Sequence, residues 1–143
     1  MERISLEEYT KAVAHCVEIA QQDTGGSRIM AQVLLSAYNG DAFQLDVAGL
    51  GGLDRENYEQ AITVIRGRYD VHREPHDVIP NGSAIFRDLW EQWKRLHAKV
   101  RGLPRCPDCE GRGRIWVNPD DDDDRQTEEC SKCKGLGKVA VTQ

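Results

Sequence analysis

Apolar residues recur at helical spacing along most of the chain, beginning near the N-terminus. Ser5 and Glu8 match the capping-box pattern, and the apolar face that follows predicts a first helix over residues 5–22. Ser27 can cap a second helix, which stops before Asn39. Because this second stretch is short and almost entirely apolar, we expect it to lie at the centre of the fold.

Two more helices are predicted further along the chain. Asp54 can cap the third, which ends near Gly67, and an apolar stripe predicts the fourth over residues 83–101. Residues 43–47 alternate between apolar and polar side chains, but neighbouring glycines favour a loop there. Two prolines make residues 69–82 a long connection rather than one continuous helix.

A Gly-Leu-Pro junction at residues 102–104 ends the helical pattern, and a cysteine-rich sequence follows. We therefore predict two domains, a helical domain over residues 1–102 and a metal-binding module over residues 103–143. The predicted fold class is mainly α: a four-helix N-terminal domain followed by a small β-ribbon that zinc holds together.

Two octets of the same pattern dominate the module. They begin at Cys106 and Cys130, and each reads C-x-x-C-x-G-x-G. Two residues between paired cysteines let the chain turn so that both sulfurs face one ion, and two such turns supply the four ligands of a tetrahedral site. A site closed in this way has no position for water, which argues against catalytic zinc. The sequence thus predicts one structural Zn²⁺ bound by Cys106, Cys109, Cys130 and Cys133.

A short apolar run follows each octet, at residues 114–117 and 138–141, and we expect these runs to pair as an antiparallel ribbon. Because the module has few apolar residues, zinc binding, worth on the order of 10 kcal/mol in small domains, must hold it together. Five consecutive aspartates form the exposed tip between the runs: Asp120, Asp121, Asp122, Asp123 and Asp124.

The repeated octets resemble the cysteine-rich zinc domain of DnaJ-type chaperones, whose repeat is C-x-x-C-x-G-x-G. Those chaperones carry four repeats and two zinc ions, so the two repeats at residues 106–137 imply one zinc ion. The chain has no J-domain His-Pro-Asp motif, and chaperone activity is therefore not implied.

In scale the module resembles the bacterial anti-TRAP regulator, in whose family it serves assembly and protein contact while the protein inhibits an RNA-binding partner. Some phage antiterminators of the Q type carry a related zinc insertion. Residues 13–96, including the run from Val17 to Arg28, resemble an uncharacterised small helical family of bacterial plasmids and phages. These resemblances imply a mobile-element source and regulation rather than catalysis.

Composition narrows the function classes further. The chain has 143 residues and a formal net charge of −5, and the acidic balance argues against general, sequence-independent nucleic-acid binding. No apolar run approaches the roughly 20 residues that span a bilayer, and the N-terminus lacks the pattern of a secretion signal. We therefore expect a cytoplasmic protein of a bacterial host, without a membrane partner, in which paired cysteines bind metal rather than form disulfides.

Residues outside the octets receive structural interpretations. Cys16 lies on the apolar face of the first helix, where a buried thiol is expected. His72 and His76 lie in the connection that contains the prolines, and we expect both to be solvated. Trp90 and Trp93 are assigned to the core, with a homodimer seam as the alternative because aromatic residues are enriched at interfaces.

Charge is distributed unevenly over the module. Residues 103–143 have seven basic and nine acidic side chains, and seven of the acids lie at residues 120–124, 128 and 129. The aspartates are either a solvated loop or an acidic tip that is steered onto a basic, nucleic-acid-binding groove of another protein. The basic octets can instead touch a phosphate backbone. The candidate partner-binding residues are the five aspartates, Trp116, Arg112, Arg114, Lys132 and Lys134.

The sequence favours a binding protein over an enzyme, because no set of nucleophile, base and oxyanion donor can be assembled from its residues. The expected function is that of a phage- or plasmid-borne regulatory protein that binds and inhibits a bacterial nucleoprotein machine, for example a CRISPR effector complex. Two alternatives stay open: a zinc-containing nucleic-acid-binding transcription or antitermination factor, and a chaperone-like adaptor.

Overall fold

The chain divides into two compact units, Met1–Trp93 and Lys94–Gln143, which we name the helical unit and the cysteine unit. The computed structural model describes residues 2–118, 120, 123 and 126–139. The domain division predicted from the sequence places its boundary after Gly102, inside the cysteine unit, and stays a prediction. Among the described residues, no helix is both long enough and apolar enough to cross a membrane.

Helices account for most of the regular structure, so the mainly α prediction is confirmed. The described residues of the helical unit form α1 (Leu6–Ala20), α2 (Gly25–Tyr38), α3 (Arg55–Asp70) and α4 (Gly82–Gln92). Short 3₁₀ turns lie at Ala48–Gly52 and Pro75–Val78.

The predicted capping box starts α1. The Ser5 hydroxyl accepts a hydrogen bond from the Glu8 N–H at 3.1 Å, and the Glu8 carboxylate accepts from the Ser5 N–H at 3.3 Å. The cap of α2 differs from the prediction. Thr24, not Ser27, occupies the cap position, and its hydroxyl accepts from the Ser27 N–H at 3.0 Å. The helix therefore includes both glycines, Gly25 and Gly26, which the sequence pattern assigned to the break.

The core of the helical unit lies where α1 packs against α2 and α3. All residues from Ile29 to Leu35 of α2 are buried, which confirms the central position expected for this helix. Tyr9 and Cys16 of α1 are both 0% exposed, so the prediction of a buried Cys16 thiol is confirmed. Burial raises the pKa of that thiol to about 12, which keeps it protonated at neutral pH.

The predicted fourth helix over residues 83–101 is not continuous. Helix α4 ends at Gln92, and the chain continues through a 3₁₀ turn at Lys94–Leu96 into the short helix α5 (Ala98–Arg101). Tertiary hydrogen bonds form where α4 ends. The Trp93 indole N–H donates to the Ala20 carbonyl at 2.9 Å, and the Gln92 amide donates to the Gln22 carbonyl at 3.0 Å. These side chains donate to carbonyls at and just after the C-terminal end of α1, where helical partners are lacking.

Trp93 is 1% exposed, as the core interpretation expects. Trp90 is half-buried, with its ring 4.8 Å from that of Phe43 and 6.4 Å from that of Tyr38. Because Trp93 is buried, it does not offer a surface for the alternative seam of both tryptophans. Homodimer formation itself stays a prediction.

Helix α3 passes through Gly67, where the sequence pattern ended it, and continues to Asp70. Gly67 is buried, and a side chain there would collide with the ring of Tyr9. The glycine thus allows α1 and α3 to pack closely and does not form a turn. The connection that follows contains the exposed His72, as expected, but the His76 side chain is only 17% exposed, contrary to the expected solvation.

The alternating residues 43–47 form no strand, which confirms the loop prediction. The segment is nevertheless fixed to the core, since Phe43 is 0% exposed. The buried Gln32 donates its amide to the Gln44 carbonyl at 2.8 Å. Burial of Phe43 and the hydrogen bond to Gln44 thus fix residues 43–47 to the core, although the segment is not part of a sheet.

Tyr9 gives the helical unit a predicted pH dependence. Its hydroxyl donates to the Arg73 carbonyl at 2.8 Å, and burial raises its pKa to about 12 even though Arg68 acts in the opposite direction. An unfolded tyrosine has a pKa of about 10. The stabilisation is therefore complete below pH 10 and is lost as the pH rises towards 12. We expect the free energy of unfolding to fall over this range in denaturant titrations, and to fall less in Tyr9→Phe. Equal alkaline slopes for the two proteins would contradict this assignment.

In the described part of the cysteine unit, strands β1 (Arg114–Trp116) and β2 (Thr127–Glu129) pair antiparallel, with Arg114 opposite Glu129. The predicted ribbon, in which residues 114–117 pair with residues 138–141, is therefore wrong. Residues 140 and 141 lie outside the described residues.

The actual pairing follows from the arrangement of the octets. The backbones of Lys138 and Arg105 form an isolated antiparallel β-bridge, and the Val139 N–H donates to the Pro104 carbonyl at 3.0 Å. The residues before one octet thus pair with the residues after the other, on both sides of the unit. Each octet reverses the chain, and the two octets face each other with opposite chain directions. This arrangement brings the segment that enters one octet beside the segment that leaves the other.

Candidate metal centre

The four predicted ligand sulfurs lie together. The Sγ atoms of Cys106 and Cys130 are 3.8 Å apart, those of Cys109 and Cys133 are 3.7 Å apart, and all four lie within 4.8 Å of one another. A disulfide has a sulfur separation of about 2.0 Å, and all four cysteines are free. In a tetrahedral thiolate set with metal–sulfur bonds of about 2.3 Å, neighbouring sulfurs are about 3.8 Å apart. The four cysteines can therefore hold one metal ion.

The two octets have the same backbone conformation. In each, three residues have positive φ: the residue after the second cysteine and both glycines. Positive φ favours glycine, which occupies two of these three positions. The φ values are 55°, 86° and 80° at Glu110, Gly111 and Gly113, and 54°, 80° and 76° at Lys134, Gly135 and Gly137. The sequence repeat is thus also a structural repeat.

The last glycine of each octet, Gly113 or Gly137, connects the two sulfur pairs. Its N–H donates to the second cysteine sulfur of its own octet, at 3.2 Å in both cases. Its carbonyl accepts from the N–H of the first cysteine in the other octet, at 3.0 Å in both cases. Hydrogen bonds from N–H groups to sulfur offset the negative charge that thiolates would place around an ion.

These glycines also allow the octets to touch. A Cβ atom on Gly113 would lie 2.4 Å from the Gly135 carbonyl oxygen, and one on Gly137 would lie 2.5 Å from the Gly111 oxygen. The neighbouring atoms belong to the backbone, so they cannot move aside as a flexible side chain can. Packing between the octets therefore explains the last glycine of each C-x-x-C-x-G-x-G repeat.

The sulfurs do not all favour the thiolate form without a cation. Burial acts to raise the pKa of Cys106, but hydrogen bonds from the backbone of Cys109 and Asp108 outweigh it and lower the pKa to about 7. At Cys133, burial dominates and raises the pKa to about 11. A metal cation among the sulfurs would favour the thiolate at every position.

An apolar layer shields the sulfurs from solvent. The four cysteines are 0% to 8% exposed, and Ile115, Leu136 and Val139 pack against them. Ile115 is the inward residue of β1, and Val139 is the corresponding residue after the second octet. Each predicted apolar run thus contributes one side chain to the sulfur cluster, although the runs do not pair with each other.

Gly111→Ala tests the role of positive φ in the octets. Gly111 has φ of 86°, and a Cβ atom added there would lie 3.3 Å from its nearest neighbour, the flexible side chain of Arg105. An alanine forced into a left-handed conformation costs roughly 1–2 kcal/mol, so we expect the cysteine unit to lose that much stability. Gly102→Ala is the matched control, since nothing lies within 4 Å of its Cβ position and its φ is −81°. Equal thermal denaturation of both variants would argue against the backbone assignment.

The structure locates most of the candidate partner-binding residues on the surface. Trp116 is 43% exposed on β1, and Asp120 and Asp123 are exposed. Asp121, Asp122 and Asp124 lie outside the described residues. The exposed cationic side chains are Arg112, Arg114, Lys132 and Lys134.

Acidic neighbours accompany two of these cations. Arg112 lies 3.9 Å from the Glu110 carboxylate, and Lys132 lies 4.0 Å from that of Asp108. Arg114 is held by Thr127, whose hydroxyl and carbonyl each accept a hydrogen bond from the guanidinium at 2.8 Å. The basic character expected for the octets is therefore partly offset within the unit itself.

Two cations next to the second octet were not identified from the sequence. The Lys94 ammonium donates to the Lys134 carbonyl at 3.2 Å, and Arg95 lies beside Gly137. The sequence pattern assigned both residues to a continuous fourth helix. No local signal marks their position, since it depends on the end of α4 at Gln92.

Comparison with known protein families matches residues 10–94 to a family of unknown function (DUF7673). The match covers more than half of the chain and does not include the four clustered cysteines. No curated protein and no solved structure matches the chain. The resemblance of the octets to DnaJ-type zinc domains therefore stays an expectation from the sequence.

Proposed function

This chain belongs to the DUF7673 family, whose function is unknown, and we propose that it is a regulatory binding protein whose cysteine unit is held by one structural zinc ion and contacts a macromolecular partner. The observation that carries the proposal is a closed four-sulfur site supporting a hairpin with an exposed tryptophan. Such a unit is built to present a surface rather than to bind and convert a substrate.

Zinc is the metal that best fits the four cysteines. A buried tetrahedral set of thiolates selects zinc among the common divalent cations, whereas magnesium and calcium prefer oxygen ligands. Four protein ligands close the coordination shell, and the N–H groups of Gly113 and Gly137 already donate to two sulfurs. Zinc in such a site stabilises a fold and has no open position for catalysis.

The proposed contact surface, which we name the hairpin surface, consists of Trp116, Val117, Asp120 and Asp123. Trp116 and Val117 are each 43% exposed, and a two-stranded hairpin cannot bury them alone. Tryptophan is enriched among residues that dominate binding energy at protein interfaces. Asp120 and Asp123, which follow closely in sequence and are exposed, add negative charge to the hairpin surface.

The chemistry of the hairpin surface favours a partner with an apolar pocket next to a basic groove. Five aspartates at residues 120–124 and a net charge of −5 complement the basic surfaces with which proteins bind nucleic acid. In its finer form, the proposal is a phage- or plasmid-encoded cytoplasmic protein that inhibits a bacterial nucleoprotein machine, such as a CRISPR effector complex, by covering its nucleic-acid groove. This form rests on the charge argument and on the sequence resemblances.

A plasmid-interference assay tests the inhibitor proposal. Wild-type protein expressed in bacteria with an active CRISPR system should restore transformation by a targeted plasmid and should co-purify with the effector after nuclease treatment. The double variant Trp116→Ser with Asp120→Asn should lose both effects while it retains zinc. Tyr69→Ser, which alters a residue 76% exposed in the helical unit, is the control and should behave as wild type. Equal activity of the double variant would reject the hairpin surface as the contact.

Direct nucleic-acid binding is the second candidate, favoured by the exposed Arg112, Lys132 and Lys134. It is the weaker one because two of these cations already have acidic neighbours. Fluorescence anisotropy with labelled DNA and RNA at two salt concentrations separates the candidates. Binding that weakens steeply with salt and is lost in Lys132→Ala with Lys134→Ala would support nucleic-acid binding.

A further inference from the structure

A second group of metal-ligating side chains lies in the helical unit. Glu74, His76 and Asp77 offer two carboxylates and one imidazole, with ligand atoms within 4.8 Å of one another. They lie at the 3₁₀ turn Pro75–Val78, whose first residue is buried. The group shares no residue with the four cysteines and is far from them in sequence.

Packing fixes the His76 ring in place. The ring meets that of Tyr38 edge to face, with centroids 5.0 Å apart and an interplanar angle of 87°. A side chain on Gly82 would collide with the His76 carbonyl, so the start of α4 lies directly against this backbone. The ring of Tyr38 and the start of α4 therefore confine the His76 side chain and its backbone, respectively.

The two ring nitrogens have different surroundings. Nε2 lies 3.2 Å from the Asp77 carboxylate, and Nδ1 lies 3.5 Å from the Glu74 carboxylate. Nδ1 is buried and makes no hydrogen bond to any described residue. A buried polar atom without a partner is costly and indicates a water molecule or an ion at that point.

The separation at Nδ1 suits a shared ion better than a direct hydrogen bond. The donor–acceptor distance of an N–H···O bond is about 2.7–3.2 Å, which is shorter than the 3.5 Å between Nδ1 and the Glu74 carboxylate. Two ligands of one ion, with metal–ligand bonds of about 2.1 Å, lie about 3 to 3.5 Å apart. The Glu74 and Asp77 side chains are 48% and 53% exposed, so both carboxylates face solvent while Nδ1 is buried behind them.

We propose that Nδ1 of His76 and the carboxylate of Glu74 bind a divalent transition-metal cation. Asp77 accepts a hydrogen bond from Nε2–H, which leaves the Nδ1 lone pair directed at the ion. A carboxylate that orients a ligating imidazole in this way is a common feature of metal sites. Imidazole and carboxylate together suit zinc, nickel, cobalt or iron, and with two protein ligands the site binds more weakly than the four cysteines.

The test uses the full chain with its cysteines first filled by one equivalent of Zn²⁺, followed by titration with Co²⁺. Cobalt is paramagnetic, so ¹H–¹⁵N spectra locate the bound ion. The absence of sulfur-to-cobalt charge-transfer absorption verifies that zinc stays on the cysteines. The expected result is a saturable effect on residues 74–77 and Tyr38.

Three variants make the outcome specific to this group. His76→Gln should abolish the saturable effect, and Asp77→Asn should weaken Co²⁺ binding roughly tenfold. His72→Asn is the control, because His72 is an exposed histidine of the same segment with φ of 59°, which asparagine tolerates. Should His76→Gln fail to fold, Glu74→Gln replaces it and is expected to reduce binding as strongly. No saturable effect in the wild type, or an undiminished one in His76→Gln and Glu74→Gln, would overturn the proposal.

Discussion

Cys133→Ser is expected to unfold residues 105–139 and to leave the helical unit folded. The four sulfurs are the main buried element of the cysteine unit, whose two strands have only three residues each. Loss of one ligand opens the metal site, and structural zinc contributes on the order of 10 kcal/mol to folding in such small units. Cys109→Ser should have the same effect. In ¹H–¹⁵N spectra the signals of residues 105–139 should collapse, and the zinc content should fall.

Cys16→Ala is the matched control for both substitutions. Cys16 is also a fully buried free cysteine, but it lies in α1 of the helical unit. This variant should retain one zinc ion per chain and should change only the stability of the helices. Unchanged zinc content in both Cys109→Ser and Cys133→Ser would reject the ligand assignment.

Trp93→Ala has the second largest expected effect and acts on the helical unit. The indole is 1% exposed, and its N–H donates to the Ala20 carbonyl at 2.9 Å. Truncation of a buried tryptophan to alanine costs about 3–5 kcal/mol, because it removes apolar contacts and leaves a cavity. We expect the midpoint of urea denaturation, followed by circular dichroism at the helical band, to fall accordingly.

Two further tryptophan variants separate the causes. Trp93→Phe retains much of the apolar contact and removes the N–H donor, so it should cost less than Trp93→Ala. Trp116→Ala alters an exposed side chain of the other unit and should leave the helical transition within about 0.5 kcal/mol of wild type. A Trp93→Ala protein as stable as Trp116→Ala would show that the indole is not part of the core.

Features set by short-range chemistry were predictable from the sequence. The capping box at Ser5 and the cap at Asp54 mark the starts of α1 and α3 because these side chains bond to backbone three residues away. The cluster of four cysteines was predictable for the same reason. The C-x-x-C spacing and the positive-φ glycines are local requirements of a turn around an ion.

Features set by tertiary contacts were not predictable. The apolar stripe over residues 83–101 is consistent with one helix, and its pattern gives no sign of the long-range bond from Trp93 to Ala20 at the end of α4. Gly67 was interpreted as a helix end, whereas its role is to admit the ring of Tyr9. Both misinterpretations concern residues whose partners are more than fifty positions away in the chain.

The prediction of strand pairing in the cysteine unit was wrong for a different reason. Residues 114–117 and 138–141 follow equivalent octets, and equivalence suggested that they pair with each other. The octets in fact face each other in opposite directions, so each run pairs with the segment that precedes the other octet. The sequence repeat was correctly identified, but the opposite directions of the two octets were not.

X-ray absorption at the zinc edge of the intact, zinc-loaded chain, combined with native mass spectrometry, tests the metal centre most directly. We predict that the tightest-bound zinc ion, one per chain, has four sulfur neighbours at about 2.3 Å. We also predict that this ion is absent from Cys109→Ser and Cys133→Ser. A first-bound ion with nitrogen or oxygen neighbours, or a chain that binds no zinc at all, would contradict the assignment of a structural zinc site to the four cysteines.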